Sequence, residues 1–88
     1  MYVIEFTEDA QKDIIALQKH SPQAIVKLYR LIDELREHPR TGTGQVEQLK
    51  YFQNETWSRR ITRGHRLVYE IHDNEVLVLV ISAYGHYK

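Results

Sequence analysis

Apolar positions run along this chain in two rhythms. In residues 2–6, Tyr2, Ile4 and Phe6 alternate with Val3 and Glu5, the period of two that predicts a short strand. The spacing then lengthens. Thr7 offers a hydroxyl to an orphan helix N–H, Glu8 and Asp9 complement the positive helix start, and Ala10, Ile14 and Leu17 follow at helical intervals. Ser21-Pro22 marks a second start, with serine as cap and proline at the first helical position. Ile25, Leu28, Ile32 and Leu35 form the buried stripe of this helix. It should stop before Pro39, because a proline disfavours helical backbone in the residue ahead of it. An antiparallel helix pair is expected.

Beyond Pro39 the rhythm changes again. Gly42 and Gly44 make residues 40–45 a loop, and residues 46–51 carry only a weak signal, either a short strand or irregular chain. Residues 57–62 read as a strand, Gly64 supplies a turn into a strand over 65–71, and Asp73-Asn74 supplies the next turn. Residues 75–83 are nearly all apolar, which predicts a central strand covered on both faces. Strand, two helices and then three strands on short turns imply an α+β domain spanning residues 1–88. Its two N-terminal helices should pack on one face of a mostly antiparallel sheet of about four strands. The other face is then free to present polar groups, and any chemistry should lie there.

Composition narrows the class. At 88 residues there is room for one core, and 42% hydrophobic with 27% charged residues is an ordinary soluble balance. The absence of cysteine excludes a disulfide framework and any thiolate site. The longest apolar run, residues 76–81, falls far short of the roughly 20 residues that span a bilayer. The first residues lack a basic stretch followed by a hydrophobic one, so no signal peptide is evident and a cytoplasmic location is expected. Net charge is zero, but its distribution is uneven: Arg59, Arg60, Arg63, Arg66 and His65 fall between Trp57 and Arg66 with no acidic residue among them. Such a segment either attracts phosphate locally or forms a solvated strand edge that resists aggregation.

The candidate chemistry is found partly by elimination. The five histidines are scattered without paired metal-ligand spacing, so neither a metal nor another cofactor is expected. Gly42-Thr43-Gly44 lacks the lysine of a phosphate loop, and Thr56, Ser58, Thr62 and Ser82 lack the context of an activated nucleophile. RNA, however, carries its own nucleophile, the 2′-hydroxyl. Cleaving it calls for a base, a cation beside the phosphate and an acid for the leaving oxygen. Glu47, Arg66 and His86 are residues of those types, although sequence alone does not bring them together. Each also has a plainer reading: a solvated loop carboxylate, a strand arginine paired with Glu70, and a frayed terminal residue.

Three stretches and the chain end carry a resemblance that changes this balance. They are Gly44-Gln45-Val46-Glu47-Gln48-Leu49-Lys50, Trp57-Ser58-Arg59-Arg60-Ile61-Thr62, His65-Arg66-Leu67-Val68-Tyr69 and the closing His86-Tyr87. Together with the strand–helix–helix start, the chain resembles the YoeB (Txe) toxins of the RelE superfamily. The resemblance implies a RelE-like fold and the toxin of a type II toxin–antitoxin system. It implies a ribosome-dependent, metal-independent endoribonuclease that cleaves mRNA in the A site by 2′-hydroxyl attack and so inhibits translation. A YefM/Axe-like antitoxin is the implied partner, a long disordered segment folding onto the domain, and a homodimer is also implied. Matched position by position, Glu47 takes the general base, Arg66 the phosphate-stabilising arginine and His86 the general acid, while Lys50, Arg59 and Tyr87 bind substrate. Two features depart from the pattern. Lys88 follows the tyrosine at which the family often ends, and the chain is neutral where such toxins are basic, which implies weaker docking on RNA. The competing expectations are a non-catalytic inhibitor that binds RNA or the ribosome through Arg59, Arg60 and Arg63, and a protein that only binds an antitoxin.

Overall fold

The computed structural model describes residues 1–85. Along the chain run β1 (Val3–Phe6), α1 (Glu8–His20), α2 (Ala24–Glu37), β2 (Glu47–Leu49), β3 (Thr56–Thr62), β4 (His65–His72), a 3-10 turn (Asp73–Glu75) and β5 (Leu77–Ser82). The strands form one sheet in the order β1-β5-β4-β3-β2. β1 lies parallel to β5, and every other neighbouring pair is antiparallel. The architecture is the expected α+β arrangement with a mostly antiparallel sheet. The sheet has five strands where about four were expected, because the weakly patterned segment after the glycine loop pairs as β2, Glu47 opposite Ser58 and Leu49 opposite Thr56.

Both helices follow their sequence signals with one exception. Thr7 caps α1, its hydroxyl accepting the Ala10 N–H at 3.0 Å, and Glu8 and Asp9 occupy the first turn. α2 ends at Glu37, ahead of Pro39, as its ring requires. Ser21 was expected to cap α2 but instead terminates α1, donating its N–H to the Leu17 carbonyl at 2.7 Å. The second helix begins at Ala24 behind Gln23, with no side-chain cap. A single short connection thus serves as end of one helix and approach to the next, and the serine backbone bonds both: its carbonyl accepts the Ala24 N–H at 2.8 Å.

Strand register sorts the sheet residues onto two faces. Ala10, Leu17, Ala24, Leu28, Leu31, Ile32 and Leu35 of the helices cluster with Ile61, Leu67, Tyr69, Ile71, Val78 and Val80 of the sheet. Burying these side chains supplies the main stabilisation of the fold, about 25 cal/mol per Å² of apolar surface removed from water. The opposite face carries Glu47 and Leu49 of β2, Thr56, Ser58 and Arg60 of β3, Arg66, Val68, Glu70 and His72 of β4, and Leu77 and Leu79 of β5, as the cross-strand pairs require. β5 therefore corrects the expectation that residues 75–83 are covered on both faces. Val78 and Val80 are fully buried beneath the helices, whereas Leu77 and Leu79 are only half-buried on the open side.

Candidate active site on the open face of the sheet

β2 is only three residues long, and both of its ends are turned by residues in left-handed backbone. Gln45 (φ 51°) precedes it and Tyr51 (φ 69°) follows it. For residues with a Cβ this conformation costs about 1–2 kcal/mol, and here it delivers the edge strand against β3. Gly44, at φ 97°, lays its carbonyl on the Arg60 N–H, so the backbone approaches β3 closely just before the strand starts. Glu47 opens β2 directly across from Ser58, exposed and on the open face.

Ser58 is the register partner of Glu47 and the hydrogen-bond partner of Arg66. From β4, Arg66 donates to the Ser58 hydroxyl oxygen from Nε at 3.1 Å and from Nη2 at 3.0 Å, and Nη2 also donates to the Gln45 carbonyl at 3.1 Å. The guanidinium is thereby drawn toward the edge where Glu47 sits, with one serine opposite the carboxylate-bearing residue and bonded to the cation. The plainer reading of Arg66, a pair with Glu70, is not what forms. Glu70 Oε1 instead lies 2.8 Å from His72 Nε2 and accepts from Asn54 Nδ2 at 3.4 Å. Arg60 stands directly opposite Arg66 in the β3–β4 ladder. Two like charges across a strand pair repel unless an anion lies between them. The sequence named Arg60 only as a contact of a non-catalytic inhibitor and considered Ser58 only as a nucleophile, not as a partner of Arg66. Alternation within β3 puts Ser58 and Arg60 on one face, but only the strand register shows that Glu47 and Arg66 share it.

The end of the described chain is bonded to the start of β4. The Arg66 N–H donates to the Gly85 carbonyl at 2.9 Å, and the Gly85 N–H donates to Nδ1 of His65 at 2.8 Å. Further back, the Ala83 N–H donates to Asp13 Oδ2 of α1 at 3.0 Å. His86 and Tyr87, expected as general acid and substrate contact, lie outside the described residues. Lys50 follows β2 directly and is exposed. Among the described residues no group of three or more His, Asp or Glu side chains is placed to hold a metal ion.

Arg59 requires a correction. Expected to contact substrate, it lies on the helix-facing side of β3 with 0% of its surface exposed. Its donors are all taken: Nε by the Tyr69 hydroxyl at 3.0 Å, Nη1 by Glu34 Oε1 at 2.8 Å, and Nη2 by the His38 and Thr41 carbonyls at 2.6 and 2.7 Å. The Tyr69 hydroxyl in turn donates to the Pro39 carbonyl at 2.7 Å. This buried cation gathers the chain between α2 and β2 and so fixes the approach to Glu47. Burial alone would raise the Glu34 pKa, but N–H donation from Thr43 and the Arg59 charge outweigh it and hold the carboxyl below its ordinary value. Burial also pushes the Tyr69 hydroxyl up.

A second ionic group closes the opposite end of the sheet. Arg40 forks onto Glu55 through Nε at 2.8 Å and Nη2 at 2.9 Å, and reaches Asp73 Oδ2 at 2.7 Å. Trp57 Nε1 donates to Glu55 Oε2, and the Tyr2 hydroxyl donates to Asp73 Oδ1, each at 2.7 Å. The Arg40 bond lowers the Glu55 pKa, and the Tyr2 bond, reinforced by Arg40, lowers that of Asp73.

Comparison with known proteins places this geometry among relatives. Residues 6–87 match the family described as the YoeB-like toxin of bacterial type II toxin–antitoxin systems. The toxin YoeB of Synechocystis is 36% identical over 85 residues, 97% of this chain and 96% of that protein. The solved YoeB/ParE toxin from Agrobacterium tumefaciens is similar in fold, with a TM-score of 0.87 at 31% identity over 99% of this chain and 100% of that one. YoeB from Staphylococcus aureus is similar in two solved states. As a dimer it gives a TM-score of 0.82 at 31% identity over 98% of each chain. In a heterotetrameric complex with YefM it gives 0.80 at 28% identity over 99% of each.

Proposed function

Because the chain belongs to the YoeB-like toxin family of bacterial type II toxin–antitoxin systems, we propose that it acts as a ribosome-dependent endoribonuclease cutting mRNA in the A site. The observation that supports this reading is that Glu47 pairs across from Ser58, to whose hydroxyl Arg66 donates, on the sheet face turned away from the helices. Glu47 removes the proton of a ribose 2′-hydroxyl, and the freed oxygen attacks the adjacent phosphorus. Arg66, permanently charged and forked, stabilises the negative charge gathering on the phosphate oxygens. As the bond to the 5′-oxygen breaks, His86 gives that oxygen a proton, leaving a 2′,3′-cyclic phosphate and a 5′-hydroxyl. His86 is one peptide link beyond Gly85, whose carbonyl is held by the Arg66 N–H. Lys50 and Tyr87 complete the substrate contacts, and Arg60 adds a second cation opposite Arg66. Arg59 has no part in them.

The test is cleavage of mRNA on programmed ribosomes by the purified protein. Glu47→Ala, Arg66→Ala and His86→Ala should each slow cleavage about a hundredfold or more, with products bearing cyclic or 3′-phosphate ends. Wild-type rates in all three variants would remove the catalytic assignment. Arrested translation with intact mRNA would make the protein a blocking ligand instead. A YefM-like antitoxin is the expected partner and a homodimer the expected free state, by analogy with the Staphylococcus aureus complexes. Co-purification from cells carrying the neighbouring reading frame tests the first, and light scattering the second. The expected site of action, with the ribosome, is the cytoplasm. No helix among the described residues is long and apolar enough to cross a membrane.

A further inference from the structure

His65 is adjacent to Arg66 in sequence, yet its side chain contacts the tail of the chain and not the sheet face that holds Ser58. Its Nδ1 accepts the Gly85 N–H at 2.8 Å. Its ring stacks on Tyr84, with centroids 4.5 Å apart and planes 29° from parallel. From the other side His20, in the last turn of α1, meets the same tyrosine ring at 6.1 Å and 48°. Gly85 itself has a positive φ of 79°, and its carbonyl accepts from the Arg66 N–H at 2.9 Å. Both backbone groups of the residue preceding His86 are therefore bonded to the first two residues of β4. A glycine that turns in the left-handed region needs such bonds to hold one conformation, since its backbone is otherwise the most freely variable in the chain.

We infer that His65 is a positioning residue: by holding Tyr84 and Gly85 it fixes the backbone at the residue that precedes His86 in the chain. The inference rests on the ribonuclease reading for its consequence in catalysis, but the clamp itself is a separate proposition. An acid that must meet a leaving oxygen within hydrogen-bond reach loses rate steeply when its backbone is free to wander. Removing the clamp should lower the rate of the chemical step while leaving the affinity for programmed ribosomes in place. A merely structural histidine would lower stability instead, and would not distinguish one replacement from another. Asparagine is the discriminating replacement. Its Oδ1 can occupy the position of Nδ1 and accept the Gly85 N–H, although it cannot stack on Tyr84.

The experiment compares wild type, His65→Ala, His65→Asn and His86→Ala by hydrogen exchange at the Gly85 amide, by single-turnover mRNA cleavage on programmed ribosomes and by melting temperature. In His65→Ala the Gly85 amide should exchange about tenfold faster, as expected on losing one hydrogen bond. Its cleavage rate should fall about tenfold or more, with half-saturation by ribosomes unchanged. His65→Asn should recover most of both. Cleavage by His65→Ala at the wild-type rate would overturn the positioning role, as would an equal loss in His65→Asn accompanied by a matching fall in melting temperature. If wild type and His86→Ala both leave mRNA intact, it is the ribonuclease reading that fails. Gly85 exchange in His65→Ala then still decides the clamp: unchanged protection rejects it and faster exchange supports it.

Discussion

Two arginines in one strand pair show how parity decides a residue's role. Arg66 faces outward with Ser58 and Glu47, while Arg59 shares the inward parity of Trp57 and Ile61 and is completely buried. The family resemblance made Arg59 a substrate contact. Alternation with Trp57 and Ile61 puts it on their side of the strand, although an unexposed arginine is rare. Its partners, Glu34, Tyr69 and the carbonyls of His38 and Thr41, lie far away in sequence, and no local pattern reveals them. Arg59→Ala leaves those acceptors buried without a donor and should destabilise the protein by about 3 kcal/mol, measurable as a lowered urea midpoint. Ser58→Ala should behave in the opposite manner. The small side chain costs little stability, but Arg66 loses its tether, so cleavage should drop about tenfold while the urea midpoint moves little.

The helices and long strands were legible because their signals are local: the Thr7 cap, Pro39 as a stop, and the turns at Gly64 and Asp73-Asn74 that bound β3 and β4. β2 was not, because three residues carry too little pattern to distinguish a strand from irregular chain. Its existence depends on long-range pairing and on the loop before it. β5 misled for a different reason. An unbroken apolar run resembles a strand buried on both sides, but helices cover only one side of this sheet. The placement of Glu47 across from Ser58 was equally invisible, since it needs the register between β2 and β3. A substitution at Gly44 tests how far the short strand relies on its approach. A Cβ there would lie 2.9 Å from the Arg60 carbonyl oxygen, on backbone at φ 97°. Gly44→Ala should therefore cost more than about 1 kcal/mol and reduce cleavage through Glu47, with thermal melting and the ribosome assay as the readouts.

Over the whole molecule, charge enters stability and binding in separate places. Glu34, Glu55 and Asp73 all hold their protons less tightly in the folded chain than when unfolded. Between the folded and unfolded values the unfolded state binds more protons, so stability there rises with pH. The contribution is complete above the ordinary carboxylate range and vanishes as pH falls through the lowered values. Melting temperature should stay level from pH 7 to about 5 and decline below about pH 4. Glu55→Gln should flatten that decline, and an undiminished slope would assign it to other groups. For nucleic acid, a net charge of zero limits long-range attraction, and among the described residues Lys50, Arg60, Arg63 and Arg66 are the cations on or next to the strands that carry the candidate site. Logarithmic affinity for RNA should then fall with logarithmic salt at a slope of about −3, near 0.7–0.9 per phosphate contacted. A much steeper dependence would mean that further cations take part.

Strand order has one more implication, which concerns timing. β5 is synthesised last among the described strands, yet it lies between β1 and β4. While residues 77–82 are still inside the exit tunnel of the ribosome making them, the opening strand has no neighbour to join and the inner row of the sheet is missing. Closure of the sheet therefore waits on β5: the first strand made finds its only strand partner among the described residues in the segment that emerges last of the five.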